Sequence, residues 1–146
     1  MRTATPDDAG WIQEQYNNLN FIPSDLERET VVIAEVDGRR AGMGRLVPAG
    51  DGAWELGGMF VGDAYRGRGI AKAIVDELIR HAGSNRDVYC IPFAELEALY
   101  ASSGFRRIEP VNIPAKVQEK LAWCVRQMPR PVILMKLSRV RPENLT

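Results

Sequence analysis

The sequence predicts a single α/β domain in which helices flank a mixed, mainly antiparallel sheet. Its 146 residues are the size of one ordinary domain, so the predicted domain covers residues 1–146. Residues 30–61 contain three strand-like runs separated by Asp-Gly pairs, and residues 62–137 alternate amphipathic helices with short apolar strands. Because helical crossovers permit parallel strand pairs, the sheet is expected to be mixed.

A helix is predicted near the start of the chain. Thr5 can cap it, Pro6 suits its first turn, and two acidic residues favour its positive end. Apolar residues then follow at helical spacing up to Leu19. Residues 17–23 are expected to form a loop, and residues 24–28 one helical turn.

The next segment predicts an antiparallel meander. The β-branched run 30–36 is typical of a strand, and Asp37-Gly38 is a strong hairpin signal before the returning strand 40–47. A second turn at Asp51-Gly52 leads into a third strand at 54–61.

After residue 66 the apolar residues recur at the spacing of a helix, and Gly83 is expected to end that helix. The remaining elements follow from the same reasoning, with Gly104 ending the third predicted helix and Pro114 opening the fourth. They are a helix over 70–82, a strand at 87–91, a helix at 92–103, a strand at 105–109, a helix at 114–128 and a strand at 132–137.

The composition limits the classes of partner. Lys plus Arg and Asp plus Glu are 19 each, and this neutral total argues against general binding to nucleic acids or membrane surfaces. Cys90 and Cys124 lie in apolar segments without ligand spacing, and His81 is the only histidine, so no metal site is expected. Without a signal-like start or an apolar run of about 20 residues, the sequence predicts a cytoplasmic protein.

The chemically informative segment is 54–72, where a strand leads through a glycine-rich loop into a helix. Glycines let several backbone N–H groups face one point, and a helix start adds positive potential, so this arrangement suits pyrophosphate. Arg66, Arg68 and Lys72 add cations. A P-loop would need Lys-Ser/Thr where Arg68-Gly69 stands, and a dinucleotide fingerprint would need glycine at Lys72. A purely structural turn is the remaining alternative.

Two motifs carry a resemblance to a known family. Arg66-x-x-Gly69-x-Ala71 fits the pattern Gln/Arg-x-x-Gly-x-Gly/Ala, and residues 99–105 read Leu-Tyr-x-x-x-Gly-Phe. Together with the opening Arg-x-Ala-Thr-Pro-Asp-Asp, they resemble the GNAT superfamily of acyl-CoA-dependent N-acyltransferases over nearly the whole chain. The resemblance implies a GNAT-like fold and acetyl-CoA as co-substrate.

The resemblance also implies a cofactor site. Backbone amides in the loop and helix start would hold the CoA pyrophosphate, and the end of the preceding strand would pair with the pantetheine arm. The residues concerned are Met59, Phe60, Val61, Arg66, Gly67, Arg68, Gly69, Ile70 and Ala71. One departure is Phe93, which stands where many members carry an asparagine that contacts pantetheine.

Two residues are candidate catalysts. Tyr100 matches the tyrosine of the family's second signature, which protonates the departing thiolate. Glu55 is the candidate base, because the family often has a glutamate there and its even spacing from Val61 predicts that both lie on one face. Cys90 as a nucleophile and His81 are weaker candidates.

These observations predict an N-acetyltransferase that transfers the acetyl group of acetyl-CoA directly to a primary amine on a small molecule or peptide. The alternatives are an acyl-CoA-binding regulator without turnover and an interaction module with a structural glycine turn. The helix at 114–128 is expected to cover the acceptor side or form a dimer contact, and strand 132–140 is a candidate homodimer edge. Four aromatic residues are candidate pocket walls: Trp11, Tyr16, Phe21 and Trp54.

Overall fold

The computed structural model describes residues 1–19 and 21–138. Seven described strands form one sheet in the order β1-β2-β3-β4-β5-β7-β6. The strands are β1 (Arg2–Thr3), β2 (Thr30–Val36), β3 (Arg39–Pro48), β4 (Trp54–Val61), β5 (Val88–Cys90), β6 (Phe105–Arg107) and β7 (Met135–Leu137). The α-helices are α1 (Ala9–Asn18), α2 (Ile70–Ala82), α3 (Glu97–Ala101) and α4 (Ala115–Gln127). The predicted α/β domain with a mixed, mainly antiparallel sheet is confirmed.

Strands β2, β3 and β4 form the predicted antiparallel meander. Asp37 and Gly38 have φ values of 52° and 76°, and Asp51 and Gly52 have 54° and 76°. Both residues of each pair are therefore left-handed, which short tight turns require and which Asp-Gly sequences tolerate. These two turns fix where the strands begin and end.

A β-bulge interrupts β4 at Gly58. Met43 pairs with Phe60 and Arg45 with Gly57, so residues 58 and 59 together oppose one residue of β3. Gly58 has φ +59°, and a Cβ there would lie 2.5 Å from the Tyr16 hydroxyl. The position therefore requires glycine.

The bulge reverses the alternation of side chains along β4. Before it, Leu56 faces the cluster around α2, and after it Met59 and Val61 face that same cluster. Glu55 contacts α4 on the opposite side of the sheet. The prediction that Glu55 and Val61 share a face is therefore wrong, because even spacing holds only in an uninterrupted strand.

Helices cover both faces of the sheet. On one face α2 and α3 contribute buried residues such as Ile74, Leu78 and Tyr100 to a cluster with β2, β4 and β5. The other face carries one cluster under α1, with Ile12 and Tyr16, and another under α4, with Val117. None of the described helices has the length and apolar character that crossing a bilayer requires.

The sheet opens between β4 and β5. These strands are parallel and pair only at Trp54–Val88, Glu55–Tyr89 and Leu56–Cys90. Beyond Leu56, the second half of β4 has no strand partner among the described residues on its β5 side. Strands β4 and β5 separate from this point, and the gap between them contains the candidate site.

Several predicted boundaries differ from the structure. The helix at 92–103 consists of a 3₁₀ turn, Ala94–Leu96, followed by α3. The single turn expected at 24–28 is present as an isolated turn, in which the Asp25 carbonyl accepts hydrogen bonds from the Arg28 and Glu29 amides at 3.1 and 2.9 Å. Strand β7 lies between β5 and β6, so the expectation that it offers a free edge to a second copy is wrong for residues 135–137. Residues 139 and 140 of that predicted strand lie outside the described residues.

Candidate active site

The loop before α2 contains two glycines in the left-handed conformation. Gly67 and Gly69 have φ values of +79° and +76°, and a Cβ at either would meet nothing within 4 Å. The first α2 amide with a described backbone acceptor is that of Ala73, which donates to the Gly69 carbonyl at 3.1 Å. The amides of Ile70 and Ala71 have no such acceptor in the described part of the chain. A loop of this kind on a helix N-terminus suits phosphate oxygens.

Two arginines flank this loop at the surface. The Arg66 guanidinium lies 3.2 Å from the Asp63 carboxylate and donates a hydrogen bond to the Val61 carbonyl at 3.3 Å. Arg68 lies with its guanidinium 5.7 Å from the centre of the Tyr65 ring. Both side chains are exposed, and exposed contacts of this kind contribute little free energy, so either arginine can turn toward an anion.

Lys72 has a different position from the one its sequence context suggests. Its ammonium lies 3.1 Å from the Asp76 carboxylate and donates hydrogen bonds to the Ser102 carbonyl and the Ser103 hydroxyl. These contacts tie α2 to the end of α3. Lys72 therefore acts first as a link between the two helices.

The open edge of β4 leads from this loop into a pocket between β4 and β5. A chain-like ligand lying along residues 57–61 would meet strand N–H and C=O groups that β5 does not pair. The pocket at the end of this edge is formed by β4, by residues 90–93 and 96–100, and by α4. Its lining includes Phe21, Ile22, Arg45, Glu55, Gly57, Gly58, Met59, Cys90, Phe93, Leu96, Tyr100, Lys120, Trp123, Cys124 and Met128.

Tyr100 lies on α3 with 4% of its surface exposed, and it lines the pocket. Its ring packs edge-to-face on Phe105 with 5.9 Å between ring centres. Burial raises the pKa of the Tyr100 hydroxyl above its usual value, and the nearby Cys90 and Glu55 raise it further. The phenol therefore keeps its proton and is available as a hydrogen-bond donor in the pocket.

Glu55 lies across the same pocket from α3. Its carboxylate is 3.3 Å from the Lys120 ammonium of α4, and the two side chains are 12% and 29% exposed. The carboxylate also approaches the backbone of Gly57, since a Cβ at that glycine would lie 3.4 Å from Oε2. Glu55 and Tyr100 therefore line the same cavity.

Under the pocket, Tyr16 and Arg45 support the bulge. The Tyr16 hydroxyl donates a hydrogen bond to the Gly58 carbonyl at 2.9 Å, and the Arg45 guanidinium lies 4.4 Å from the centre of the Tyr16 ring. Arg45 is 5% exposed and lies 3.6 Å from the Glu29 carboxylate. Arg45 lines the pocket, and the buried Tyr16 phenol holds both Arg45 and the bulge at Gly58 in place.

A family model described as "Acetyltransferase (GNAT) domain" matches residues 27–107, which include β2 to β6, the glycine loop and Tyr100. The chain belongs to the GNAT acetyltransferase family. A comparison with curated proteins finds no match.

Solved structures with the GNAT fold are similar over most of the chain. Rv2747 from Mycobacterium tuberculosis, in complex with CoA and a second ligand, is 21% identical with a TM-score of 0.72, covering 95% of this chain and 98% of that one. Ribosomal-protein-alanine N-acetyltransferase from Brucella melitensis is 21% identical with a TM-score of 0.65, covering 92% and 96%. N-acetylglutamate synthase from Neisseria gonorrhoeae, complexed with CoA and N-acetyl-glutamate, is 14% identical with a TM-score of 0.73, covering 96% of this chain and 35% of that one.

Three positions in this GNAT protein differ from the simplest catalytic picture. Phe93 lines the pocket where many members carry asparagine, and its ring stacks with the Arg130 guanidinium at 4.0 Å. Burial raises the pKa of the Cys90 thiol well above its usual value, and nearby Glu55 raises it further. A thiol held neutral in this way is a poor nucleophile. His81 lies near the end of α2, 3.4 Å from Glu77, and does not line the pocket.

The aromatic candidates divide into two groups. Phe21 lines the pocket, and Tyr16 lies beneath it. Trp11 packs against Phe60 under α1, and Trp54 packs in the cluster under α2, so neither forms a pocket wall.

The sequence analysis missed Arg45 and Lys120. Arg45 interrupts the apolar strand β3, and a lone charge in a buried strand is a signal that could have been used. Lys120 follows no motif. It is identified only when α4 is seen to line the pocket.

Proposed function

We propose that the protein is an N-acetyltransferase that transfers the acetyl group of acetyl-CoA directly to a primary amine. The observation that carries the proposal is the continuity of three features. The glycine loop before α2 suits pyrophosphate, the open edge of β4 suits pantetheine, and that edge ends at a pocket that contains both Tyr100 and Glu55. Membership in the GNAT family and two neighbours solved with CoA support this reading.

Residues 66–71 would hold the pyrophosphate through backbone amides, with Arg66 and Arg68 as surface cations. Residues Met59 to Val61 would pair with the pantetheine arm as an added strand. In this position the thioester would lie near the bulge at Gly58. A backbone amide of β4 would then polarise the thioester carbonyl, and such a preorganised donor stabilises the developing oxyanion.

The chemistry requires a neutral amine and stabilisation of the negative charge that the leaving sulfur acquires. The amine nitrogen attacks the thioester carbon, its extra proton passes to Glu55 directly or through water, and the carbon–sulfur bond breaks. Tyr100 donates a hydrogen bond to the departing CoA thiolate. Direct transfer is favoured over a covalent enzyme intermediate because the raised pKa of Cys90 makes its thiolate scarce.

A second candidate is a regulator that binds acyl-CoA and has no turnover. Two observations favour it: Phe93 replaces a common pantetheine contact, and Lys120 pairs with the candidate base Glu55. In that case CoA would bind, and no amine would be acetylated.

The first test is the melting temperature of the purified protein titrated with acetyl-CoA, CoA and ATP. Ligand at 100 times its Kd should add about 2.7 kcal/mol, or roughly 5–10 °C for a domain of this size. A shift with both CoA species and none with ATP supports the cofactor site. Absence of a shift at saturating CoA would contradict the proposal and leave the glycine loop as a structural turn.

The second test separates an enzyme from a regulator. Release of free CoA thiol is followed with acetyl-CoA and a panel of primary amines, with acetylated product identified by mass spectrometry. Turnover that depends on the amine supports the enzyme. Tight CoA binding without turnover for any amine would favour the regulator.

A further inference from the structure

We propose that Arg45 binds a carboxylate of the acceptor, so that the acceptor is a small molecule whose primary amine and carboxylate are a few atoms apart, as in an α-amino acid. This inference rests on the proposed acetyltransferase function and names the acceptor class for the same pocket.

Arg45 has an unusual environment for a cation. It is 5% exposed, it lines the pocket, and its Nη1 is buried without a hydrogen-bond partner among the described residues. A guanidinium carries five N–H donors in a fixed plane, and leaving a buried charged donor unpaired is costly. A small anion in the pocket would remove that cost, and a carboxylate matches the geometry of the guanidinium best.

The contacts of Arg45 hold its side chain in place but leave hydrogen-bond donors of the guanidinium unused. Its guanidinium packs on the Tyr16 ring at 4.4 Å, which fixes the plane. The nearest carboxylate is that of Glu29, at 3.6 Å from Nη1, which is beyond good hydrogen-bond distance. The same Glu29 oxygen accepts a hydrogen bond from the Ser24 hydroxyl. Glu29 therefore offsets part of the charge while the guanidinium keeps unused donors.

Arg45 and Glu55 are placed for two groups of one small molecule. Arg45 pairs with Gly57 across the strands, and Glu55 lies two residues earlier on β4, so the two side chains are diagonal neighbours on the same face. Such diagonal neighbours lie roughly 7–8 Å apart, with their Cβ atoms somewhat closer, which is within reach of long side chains. Arg45 and Glu55 can therefore contact two groups of the same small molecule.

Glycines keep the space between Arg45 and Glu55 free of other side chains. A Cβ at Gly57 would lie 3.4 Å from the Glu55 carboxylate, and a Cβ at Gly58 would lie 2.8 Å from Nε of Arg45. The two functional groups therefore approach consecutive residues of β4. Both positions lack a side chain that would separate them.

The charges around the pocket favour an anion at Arg45. The charged lining residues are Arg45, Lys120 and Glu55. Lys120 pairs with Glu55 at 3.3 Å, which leaves Arg45 as the cation that lacks a lining partner. The remaining wall is mostly apolar, with Leu96, Trp123 and Met128 available to contact the rest of the acceptor.

The first experiment compares matched acceptors with the unmodified protein. Each set contains an amino acid, its carboxamide and the amine that lacks the carboxyl carbon, for example leucine, leucinamide and 3-methylbutylamine, with equivalent sets for glutamine and phenylalanine. In at least one set kcat/KM for the acid should exceed that for both analogues by at least about tenfold. The amine of leucinamide is less basic than that of leucine, so more of it is neutral at a given pH. A preference for leucine over leucinamide therefore cannot come from the availability of the neutral amine. Equal or faster turnover of the analogues in every set would overturn the inference and leave the acetyltransferase function intact.

The second experiment replaces the guanidinium. Arg45→Gln should abolish the preference for the acid over the carboxamide, mainly through KM, while the melting-temperature shift with CoA is retained. Arg39→Gln, on the exposed part of the same strand, is the matched control and should keep the preference. An Arg45→Gln protein that binds CoA and still selects the acid would overturn the assignment.

A binding measurement decides the inference if no acceptor turns over or if Arg45→Gln does not fold. The unmodified protein is titrated with N-acetylleucine and N-acetylleucinamide, and with the corresponding glutamine and phenylalanine pairs, with and without saturating CoA. Stabilisation by an acid and not by its amide supports a carboxylate site even if the proposed turnover fails. Lack of discrimination in every pair would overturn it.

Discussion

Tyr100 combines a buried ring with a hydroxyl at the wall of the pocket. Because burial raises its pKa, the proposed role is hydrogen-bond donation to the thiolate throughout the reaction, rather than loss of a proton to solvent. A weak acid in this position stabilises negative charge on sulfur as the carbon–sulfur bond breaks. Its contribution should therefore appear in kcat.

Removing that hydroxyl tests the role directly. Tyr100→Phe should lower kcat about 100-fold, the lower end of general acid catalysis, and leave the CoA-induced melting shift unchanged. Tyr89→Phe is the matched control, since Tyr89 is also buried but packs under α4 outside the pocket lining. Equal rates for Tyr100→Phe and the unmodified enzyme would exclude this residue as the donor.

Gly58 is the second residue with a specific requirement. Gly58→Ala should destabilise the fold by about 3 kcal/mol, because a left-handed φ and a close approach to Tyr16 and Arg45 both oppose a methyl group. Gly10→Ala in α1 is the control and should stabilise by about 0.5–1 kcal/mol, since a Cβ there meets nothing within 4 Å. Chemical denaturation of both variants measures the difference. A neutral Gly58→Ala would show that the bulge relaxes easily.

At this scale the sequence predicts residues that belong to motifs. The segment from Arg66 to Ala71 and Tyr100 are proposed from short patterns, because both motifs have fixed local spacing. Arg45 and Lys120 belong to no such pattern. Arg45 is brought to Glu55 by a strand pairing and Lys120 by a helix 65 residues further along the chain, so neither role has a local signal.

Among the elements, β1, α1 and β3 are joined by one buried carboxylate. Asp8 is 1% exposed and accepts hydrogen bonds from Arg2 at 2.7 and 2.8 Å, Arg40 at 2.9 Å and the Thr5 amide at 2.8 Å. The Arg2 hydrogen bonds lower the pKa of the Asp8 carboxyl well below its usual range, and the Thr5 amide and Arg40 lower it further, although burial opposes them.

This joint predicts a specific dependence of stability on pH. The folded pKa of Asp8 lies below the unfolded value of about 3.9, so its stabilisation is complete above about pH 5 and is lost as the pH falls below about 4. Asp8→Asn should therefore cost about 2–3 kcal/mol at pH 7, and progressively less as the pH falls toward 2. Denaturation at several pH values measures the gap. Asp7→Asn, in the same turn, should show little loss, and a gap for Asp8→Asn that does not change with pH would contradict the ionic explanation.

Elements with strong local signals are the ones that the sequence predicts well. Strands β2 and β4 and helix α2 match their predicted ranges, because Asp-Gly turns and Gly83 end them sharply. The bulge at Gly58 was not predicted, although the Gly57-Gly58 pair inside a strand is a recognisable signal. The helix at 92–103 was predicted too long because its first residues pair instead with the segment before β7, through Phe93–Val132.

At the scale of the molecule, the proposed cofactor occupies the place where β5 leaves β4. CoA binding should therefore slow hydrogen exchange at the amides of residues 59–61 and 67–72, which belong to two separate segments. The turn at Asp51-Gly52 lies at the opposite end of β4 from residues 59–61 and should exchange at the same rate with and without CoA. Exchange measured by mass spectrometry gives both rates in one experiment. Protection that spreads evenly over the chain, or spares both segments, would contradict this placement.

The pocket is a property of the whole fold. Its walls come from residues 21–22, β3, β4, residues 90–100 and α4, and they meet only after β4 and β5 pair in parallel and α4 packs on the opposite face from α2. Sequence patterns predict each element and the mixed sheet, but they do not give strand order. For that reason the expectation of a free edge at the last strand was wrong for residues 135–137, which lie between β5 and β6.

The insertion of β7 between β5 and β6 has a consequence for how the protein forms during synthesis. The β2–β3–β4 meander and α2 leave the ribosome first and have mostly local partners, so they can fold early. The outer edge of β5 and the whole of β6 wait for β7, which follows every other described strand in the chain. A nascent chain stalled before residue 135 would therefore carry a folded glycine loop and α2 beside an incomplete sheet with exposed strand edges, a state prone to aggregation and chaperone binding.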